Sequence, residues 1–172
     1  MAWTKGEQVE HAEVMASICQ TFSKNKMPMV LKGGTALGLC FGLDRFSEDL
    51  DFDSDKPLNL ETTIKQVFAQ MGKAKPHLRN PSISLKKKTD TVRRYRIIYA
   101  DGKNLKLETS FRHVPEDKEL VEINGILTYK INVLIDQKIN ALNGRTAARD
   151  LYDVIYLYEH YPDEFSEGAL LE

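Results

Sequence analysis

The amino-acid sequence predicts an α+β fold, a mixed β-sheet flanked by helices. Three observations carry this expectation. Apolar residues recur at helical spacing near both ends of the chain. Short runs between them alternate apolar and polar with the period of two expected of strands. Asp101-Gly102 and Asn124-Gly125 are hairpin turn signals between such runs.

In chain order, residues 5–25 form an amphipathic helix with Val9, Ala12, Ile18, Cys19 and Phe22 near helical spacing, stopped by Asn25 and Pro28. Met29-Val30-Leu31 is a short strand entering Lys32. Gly33-Gly34 makes a tight turn, because glycine accepts positive φ and lets a ligand approach the backbone. Thr35 is then expected to cap a short helix, Ala36 to Phe41, whose first amides form an anion site. The chain returns as a strand in which Asp49, Asp51 and Asp53 alternate with Leu50 and Phe52, placing the carboxylates on one face. A second helix runs from Asn59 or Leu60 to Met71, with Ile64, Val67, Phe68 and Met71 inward and Gly72 at its close.

Ser82–Lys88, Val92–Ala100 and Leu105–Phe111 read as an antiparallel meander at the sheet edge. Its first hairpin carries Lys86, Lys87, Lys88, Arg93, Arg94 and Arg96, interleaved with Tyr95 and Tyr99. Such a hairpin is either a contact for a nucleic-acid backbone or an edge strand protected by lysine. Leu120–Leu127 turns at Asn124-Gly125 as a shorter pair. Thr128 is expected to cap a helix from Tyr129 to Leu142, with Lys138 in the middle of a stripe of Ile131, Leu134, Ile135 and Leu142. A lysine on a core-facing stripe either snorkels or reaches a phosphate or carboxylate. The last helix, about Thr146 to His160, should turn Ala147, Leu151, Val154, Ile155 and Tyr158 inward. Arg145, Arg149 and Asp153 follow one ridge of it, and Arg149 with Asp153 has the spacing of a helical ion pair.

The 172 residues suit one domain, with a C-terminal helical portion from about 128 to 161. With 42% apolar and 28% charged residues, no run approaches a membrane span and no signal pattern opens the chain. A cytoplasmic protein with no membrane partner is expected. Cys19 and Cys40 fit buried free thiols better than a disulfide framework. The net charge of −1 hides an asymmetry: residues 61–115 carry 13 basic and 4 acidic side chains, a net of +9, between acidic flanks of −3 and −7. This basic middle third suggests a polyanionic partner.

Three carboxylates on a strand face beside a glycine turn suit Mg²⁺ carrying a nucleotide's phosphates. An EF-hand is excluded, because a loop begun at Asp49 has Ser54 at its sixth position and Leu60 at its twelfth. The turn lacks the Gly-Lys-Ser/Thr of a Walker A loop, and His11, His77, His113 and His160 show no metal-ligand spacing.

Gly33-Gly34-Thr35 followed by Arg45, Ser47, Asp49, Asp51 and Phe52 resembles the first motif of the polymerase-β-like nucleotidyltransferases, and most closely the AbiEii/AbiGii toxins of type IV toxin–antitoxin systems. Lys138, Ala141, Arg145 and Arg149-Asp150 with Asp153 resemble that family's second signature. The resemblance implies a nucleotidyltransferase fold in which Asp49 and Asp51 hold Mg²⁺. It further implies β- and γ-phosphates on the Lys32–Thr35 turn, with Arg45 and Ser47 contacting or positioning them. Lys138 would stabilise charge on the transferred group, and Asp150 or Asp153 would support the site. Family members commonly have a third carboxylate on a neighbouring strand; Glu108 is the acidic residue in a strand-like run here and is the candidate third ligand. The implied reaction moves a nucleoside monophosphate from an NTP to an acceptor, an RNA and specifically a tRNA end, with pyrophosphate released. A cognate antitoxin is the implied partner. The chain is shorter than typical members, which add a helical region after the second motif. Small-molecule nucleotidyl transfer of the antibiotic-modifying type, phosphoryl transfer or transfer to a protein hydroxyl, and non-catalytic nucleotide binding remain open alternatives.

Overall fold

The structure, a computed structural model, describes residues 2–144 and 147–166. Helix α1 spans Lys5–Lys24. It begins at a capping box in which the Glu7 amide donates to the Thr4 hydroxyl and the Thr4 amide donates to the Glu7 carboxylate. Met15, Ile18, Cys19 and Phe22 are buried along it, but Val9 is exposed because His11 occupies the inward side of that turn.

Strand β1 (Val30–Lys32) leads directly into α2 (Gly33–Phe41), and β2 (Asp49–Asp53) returns antiparallel to β1. Helix α3 is Glu61–Met71. The meander then follows as β3 (Ser82–Lys88), β4 (Val92–Tyr99) and β5 (Lys103–Ser110). A hairpin of β6 (Leu120–Ile123) and β7 (Ile126–Tyr129) precedes α4 (Ile131–Gly144) and α5 (Ala148–His160). The strands form one seven-stranded mixed sheet in the order β3-β4-β5-β2-β1-β7-β6. Two parallel pairings, β2 with β5 and β1 with β7, join the two halves.

Leu50 and Phe52 point to the face covered by α1 and α3, where Phe22 meets Phe52 and Phe68 meets Tyr99. The aspartates therefore take the opposite face. Tyr95 and Tyr99 are 4% and 3% exposed on the apolar side of the meander, so they serve the core and offer no stacking surface to a nucleic acid. Asn124 and Gly125 both have positive φ, the backbone that a two-residue hairpin turn requires.

Three expectations are corrected. Thr35 does not cap α2: Lys32 holds that position, and the Thr35 hydroxyl turns inward to donate to the Asp49 carbonyl at 2.5 Å, with Ser47 Oγ 2.7 Å away. Thr128 and Tyr129 belong to β7 rather than to a helix, because the Thr128 hydroxyl donates to the Leu31 carbonyl and stitches β7 to β1. Helix α5 is rotated from its expected setting. Asp150, Asp153 and Leu157 are buried, whereas Leu151, Ile155 and Tyr158 are about half exposed. The apolar period marks its outer side, because the inner side is chosen by charge pairing with residues distant in sequence.

Candidate active site

The site lies where α2 leaves β1, and the sheet register assembles it. On the carboxylate face, Lys32, Asp51, Glu108, Arg94 and Lys87 follow one another across five strands. The next row is Asp49, Lys106, Arg96 and Ser84. Asp51 and Glu108 are thus adjacent, flanked by Lys32 on one side and by Arg94 and Lys87 on the other, while Asp49 faces Lys106.

The carboxylates find different partners. Asp49 accepts an ion pair from Lys106 at 2.8 Å, and Glu108 from Arg94 at 2.6 Å. These pairs are partly exposed, and such pairs contribute only about 0.2–1 kcal/mol. Asp53 is buried; it accepts from Lys32 Nζ at 2.6 Å and from the Tyr129 hydroxyl at 2.7 Å. Lys32 is therefore a partner of Asp53 as well as a lining residue of the cleft. Among the described residues, Asp51 makes no side-chain hydrogen bond or ion pair. Burial raises its pKa above the ordinary carboxylate range, and Asp49 and Glu108 push the same way against Lys106 and Lys32.

The glycine turn has two separate demands. Gly33 sits at φ +76°, and a Cβ there would lie 3.6 Å from the Asp51 carboxylate. A Cβ on Gly34 would lie 2.6 Å from Arg45 Nη2, so the missing side chain admits a guanidinium. Arg45 is fixed in turn by Asp153, to which Nε and Nη2 donate at 2.5 and 2.6 Å. Lys138 completes the cluster, with Nζ 2.7 Å from Asp153 and 3.1 Å from Asp150. The expected Arg149–Asp153 pair does not form; Arg149 is exposed on the cleft rim and, among the described residues, has no ion pair. Arg145 lies outside the described residues.

His11 braces the loop between α2 and β2. Its Nε2–H donates to the Glu48 carbonyl at 2.8 Å, its Nδ1 accepts from the Tyr99 hydroxyl, and its ring meets Trp3 tilted and Phe46 edge-on. Burial pushes its pKa below the ordinary imidazole value. The unfolded chain therefore binds more protons between the two pKa values, and folding stability falls as pH drops below about 6.5. Unfolding free energy measured by urea titration should rise between about pH 5 and 7 and then flatten. In His11→Phe that rise should shrink; an unchanged profile would show that His11 does not cause it.

These side chains line a polar cleft of about 540 Å³ containing Gly33, Ser47, Asp49, Asp51, Lys138 and Arg149. A second cleft of about 800 Å³ adjoins it across Asp51, Glu108 and Lys138, with Leu37, Val133 and Ala141 on its walls. The donor set fits a hard divalent cation, since it is all carboxylate oxygen and its half-buried member, Asp51, is engaged by no cation among the described residues. Among the described residues, no three acidic, histidine or cysteine side chains converge on one point. Asp49 and Glu108 are instead each paired with a cation, Lys106 and Arg94. Arg94 is expected only as part of the basic hairpin and Lys106 not at all; the strand registers show which carboxylates they face.

A glycine turn, aspartates on the neighbouring strand and a mixed sheet of this order define a nucleotidyltransferase. Two Helicobacter pylori structures, JHP933 and a putative nucleotidyltransferase, are each 38% identical to the chain. They match 98% and 97% of it, and 72% and 74% of their own lengths, with TM-scores of 0.82 and 0.81. The nucleotidyltransferase toxin MenT4 from Mycobacterium tuberculosis shares the fold at 18% identity and a TM-score of 0.58, over 88% of this chain and 59% of its own. A search of curated proteins finds no match. The profile of the nucleotidyl transferase AbiEii toxin family, type IV toxin–antitoxin system, matches residues 15–171, and the chain belongs to that family. It is a toxin nucleotidyltransferase, for which the family implies an NTP substrate and an antitoxin partner. Among the described residues, no helix is long and apolar enough to cross a membrane.

Proposed function

We propose that the chain transfers a nucleoside monophosphate from an NTP to an RNA end, with Asp49, Asp51 and Glu108 as its divalent-metal ligands. The observation that carries this reading is the row Asp51–Glu108 on paired strands beside the Gly33 turn. Mg²⁺ bound by these carboxylates would supply charge neutralisation at the transferring phosphoryl group.

The rest is done by the chain itself. The first amides of α2 present N–H donors to the triphosphate. Arg149, at the cleft rim, offers a free cation to its outer phosphates. Lys138 faces both clefts and stabilises charge where they meet. Arg45, Asp150 and Asp153 act one step back: they fix Lys138 and the turn rather than touching substrate. Ser47 shares a hydrogen bond with Thr35, which orients its hydroxyl at the cleft wall. The adjoining cleft, more apolar and with Gln137 and Asn140 in its lining, takes the nucleoside. A tRNA is the favoured acceptor, because the basic meander continues outward from the site.

The test is incubation with Mg²⁺, total RNA and each α-labelled NTP in turn, with Asp51→Ala as control. Label on a tRNA-sized band that disappears in the variant is the expected result and names the nucleotide. Mg²⁺-dependent NTP binding without RNA labelling would overturn the RNA acceptor in favour of a small molecule or protein.

A further inference from the structure

We propose that Lys106 and Arg94 are charge clamps. They hold Asp49 and Glu108 in the metal-free protein and, once displaced by a divalent cation, complete a binding track for a single RNA strand. The inference rests on the reading of Asp49, Asp51 and Glu108 as metal ligands.

The sheet face outward from Asp51 is polar and faces solvent. Lys87 and Arg96 are exposed on it, and among the described residues neither has an acidic partner. Arg96 donates only to the amide oxygen of Asn104. Lys106 and Arg94 lie between these two and the acidic centre, and both are spent on carboxylates. The metal-free face therefore shows two uncompensated cations. A divalent ion drawing Asp49 and Glu108 toward Asp51 leaves four, arrayed across strands about 4.8 Å apart.

Only the carboxylate face behaves this way. On the reverse face Tyr95, Ile97 and Leu105 are buried, so the track is one-sided and runs from the reacting centre to the edge strand β3. Lys86 and Lys88 are exposed at that edge. A polyanion laid along this path reaches the acidic centre only after the metal has neutralised it, which orders the sequence of binding: metal first, RNA strand second. An acidic protein segment would use the cations without needing the path to end at Asp51, and the RNA strand is favoured for that reason.

The experiment uses the full chain, a fluorescein-labelled single-stranded RNA of about twenty nucleotides, and no NTP. Anisotropy titrations in EDTA over a range of salt give the slope of log K against log salt, which steepens by about 0.7 for each cation released onto a single strand. Asp49→Asn and Glu108→Gln free Lys106 and Arg94 without any metal. Each should steepen the slope by about that amount and tighten binding several-fold. Adding Lys106→Met to Asp49→Asn should restore the wild-type slope. Glu122→Gln, which changes net charge equally at the far edge strand β6, should leave the slope unchanged. In a second arm, Lys106→Met should bind Mn²⁺ several-fold more tightly by electron paramagnetic resonance, since no cation must be displaced.

Steepening that survives Lys106→Met, or that Glu122→Gln reproduces, overturns the proposal, as does Mn²⁺ affinity that is unchanged or weaker in Lys106→Met. An unlabelled RNA in the transfer assay with these slopes intact would instead overturn the RNA transfer reaction alone.

Discussion

Asp51→Asn should abolish nucleotidyl transfer while making the folded protein more stable. The activity loss follows from its position: Asp51 lies beside the Gly33 turn, between Lys32 and Glu108 in the sheet register. Losing one such electrostatic contributor costs about 10²–10³-fold in rate, and losing a metal ligand as well should exceed that range. The gain in stability follows from the same surroundings. Its carboxyl is half-buried and flanked by Asp49 and Glu108, so the charged form is disfavoured and the pKa is raised. A group whose folded pKa is raised destabilises the fold increasingly as pH climbs from the unfolded value, near 4, through the folded one. Above that window the cost is fully present, and the neutral amide removes it. The expected gain at neutral pH is of the order of 1 kcal/mol, the size common for relieving a strained functional site. Urea unfolding at pH 7.5 and pH 4 checks this, because the difference between variant and wild type should shrink in acid. A variant less stable than wild type at both pH values would show that Asp51 holds the fold together, and the description of it as an uncompensated carboxylate would fail.

What was legible from sequence follows from how local each feature is. The Asp49-Leu50-Asp51-Phe52 alternation fixes which face is acidic, because two successive residues suffice to define a strand's two sides. The Asn124-Gly125 turn is likewise settled by two residues. The apolar period of helix α5 predicts the wrong inward face, since Leu151, Ile155 and Tyr158 face outward. Its orientation is set by Arg45, 108 positions before Asp153, and by Lys138 on another helix. Nothing within α5 encodes those partners. Thr35 departs from its expected role for a similar reason: a threonine at the start of a helix suggests a cap, but the Asp49 carbonyl offers it a tertiary acceptor. The clamp pairs Lys106–Asp49 and Arg94–Glu108 depend on strand register between segments far apart in the chain. Their charges were visible in the basic middle third, their partners were not.

Asp153→Ala should be the most destabilising single change at the site. Asp153 is fully buried and holds two cations at once, Arg45 through two hydrogen bonds and Lys138 at 2.7 Å. Removing one member of a buried ion-pair network leaves the other charges desolvated and costs about 3–5 kcal/mol. Lys138 retains Asp150 at 3.1 Å, so the larger part of the loss falls on Arg45. Against a total stability of about 5–15 kcal/mol, such a loss can leave much of the chain unfolded. Asp153→Asn provides the milder variant, since an amide oxygen still accepts one bond from the guanidinium. Replacing the cluster as a unit tests the origin of the cost. Lys138→Met alone removes one cation from Asp150 and one from Asp153, whereas Lys138→Met with Asp153→Leu removes one charge of each sign and should be less damaging than the sum of the two single changes. Urea midpoints for the single and double variants measure that coupling. Additive losses would mean that Lys138 and Asp153 do not act as one unit. Gly34→Ala, which places a Cβ 2.6 Å from Arg45 Nη2, should cost more in the wild type, where Asp153 pins the guanidinium, than in the Asp153→Ala background, where it can move away.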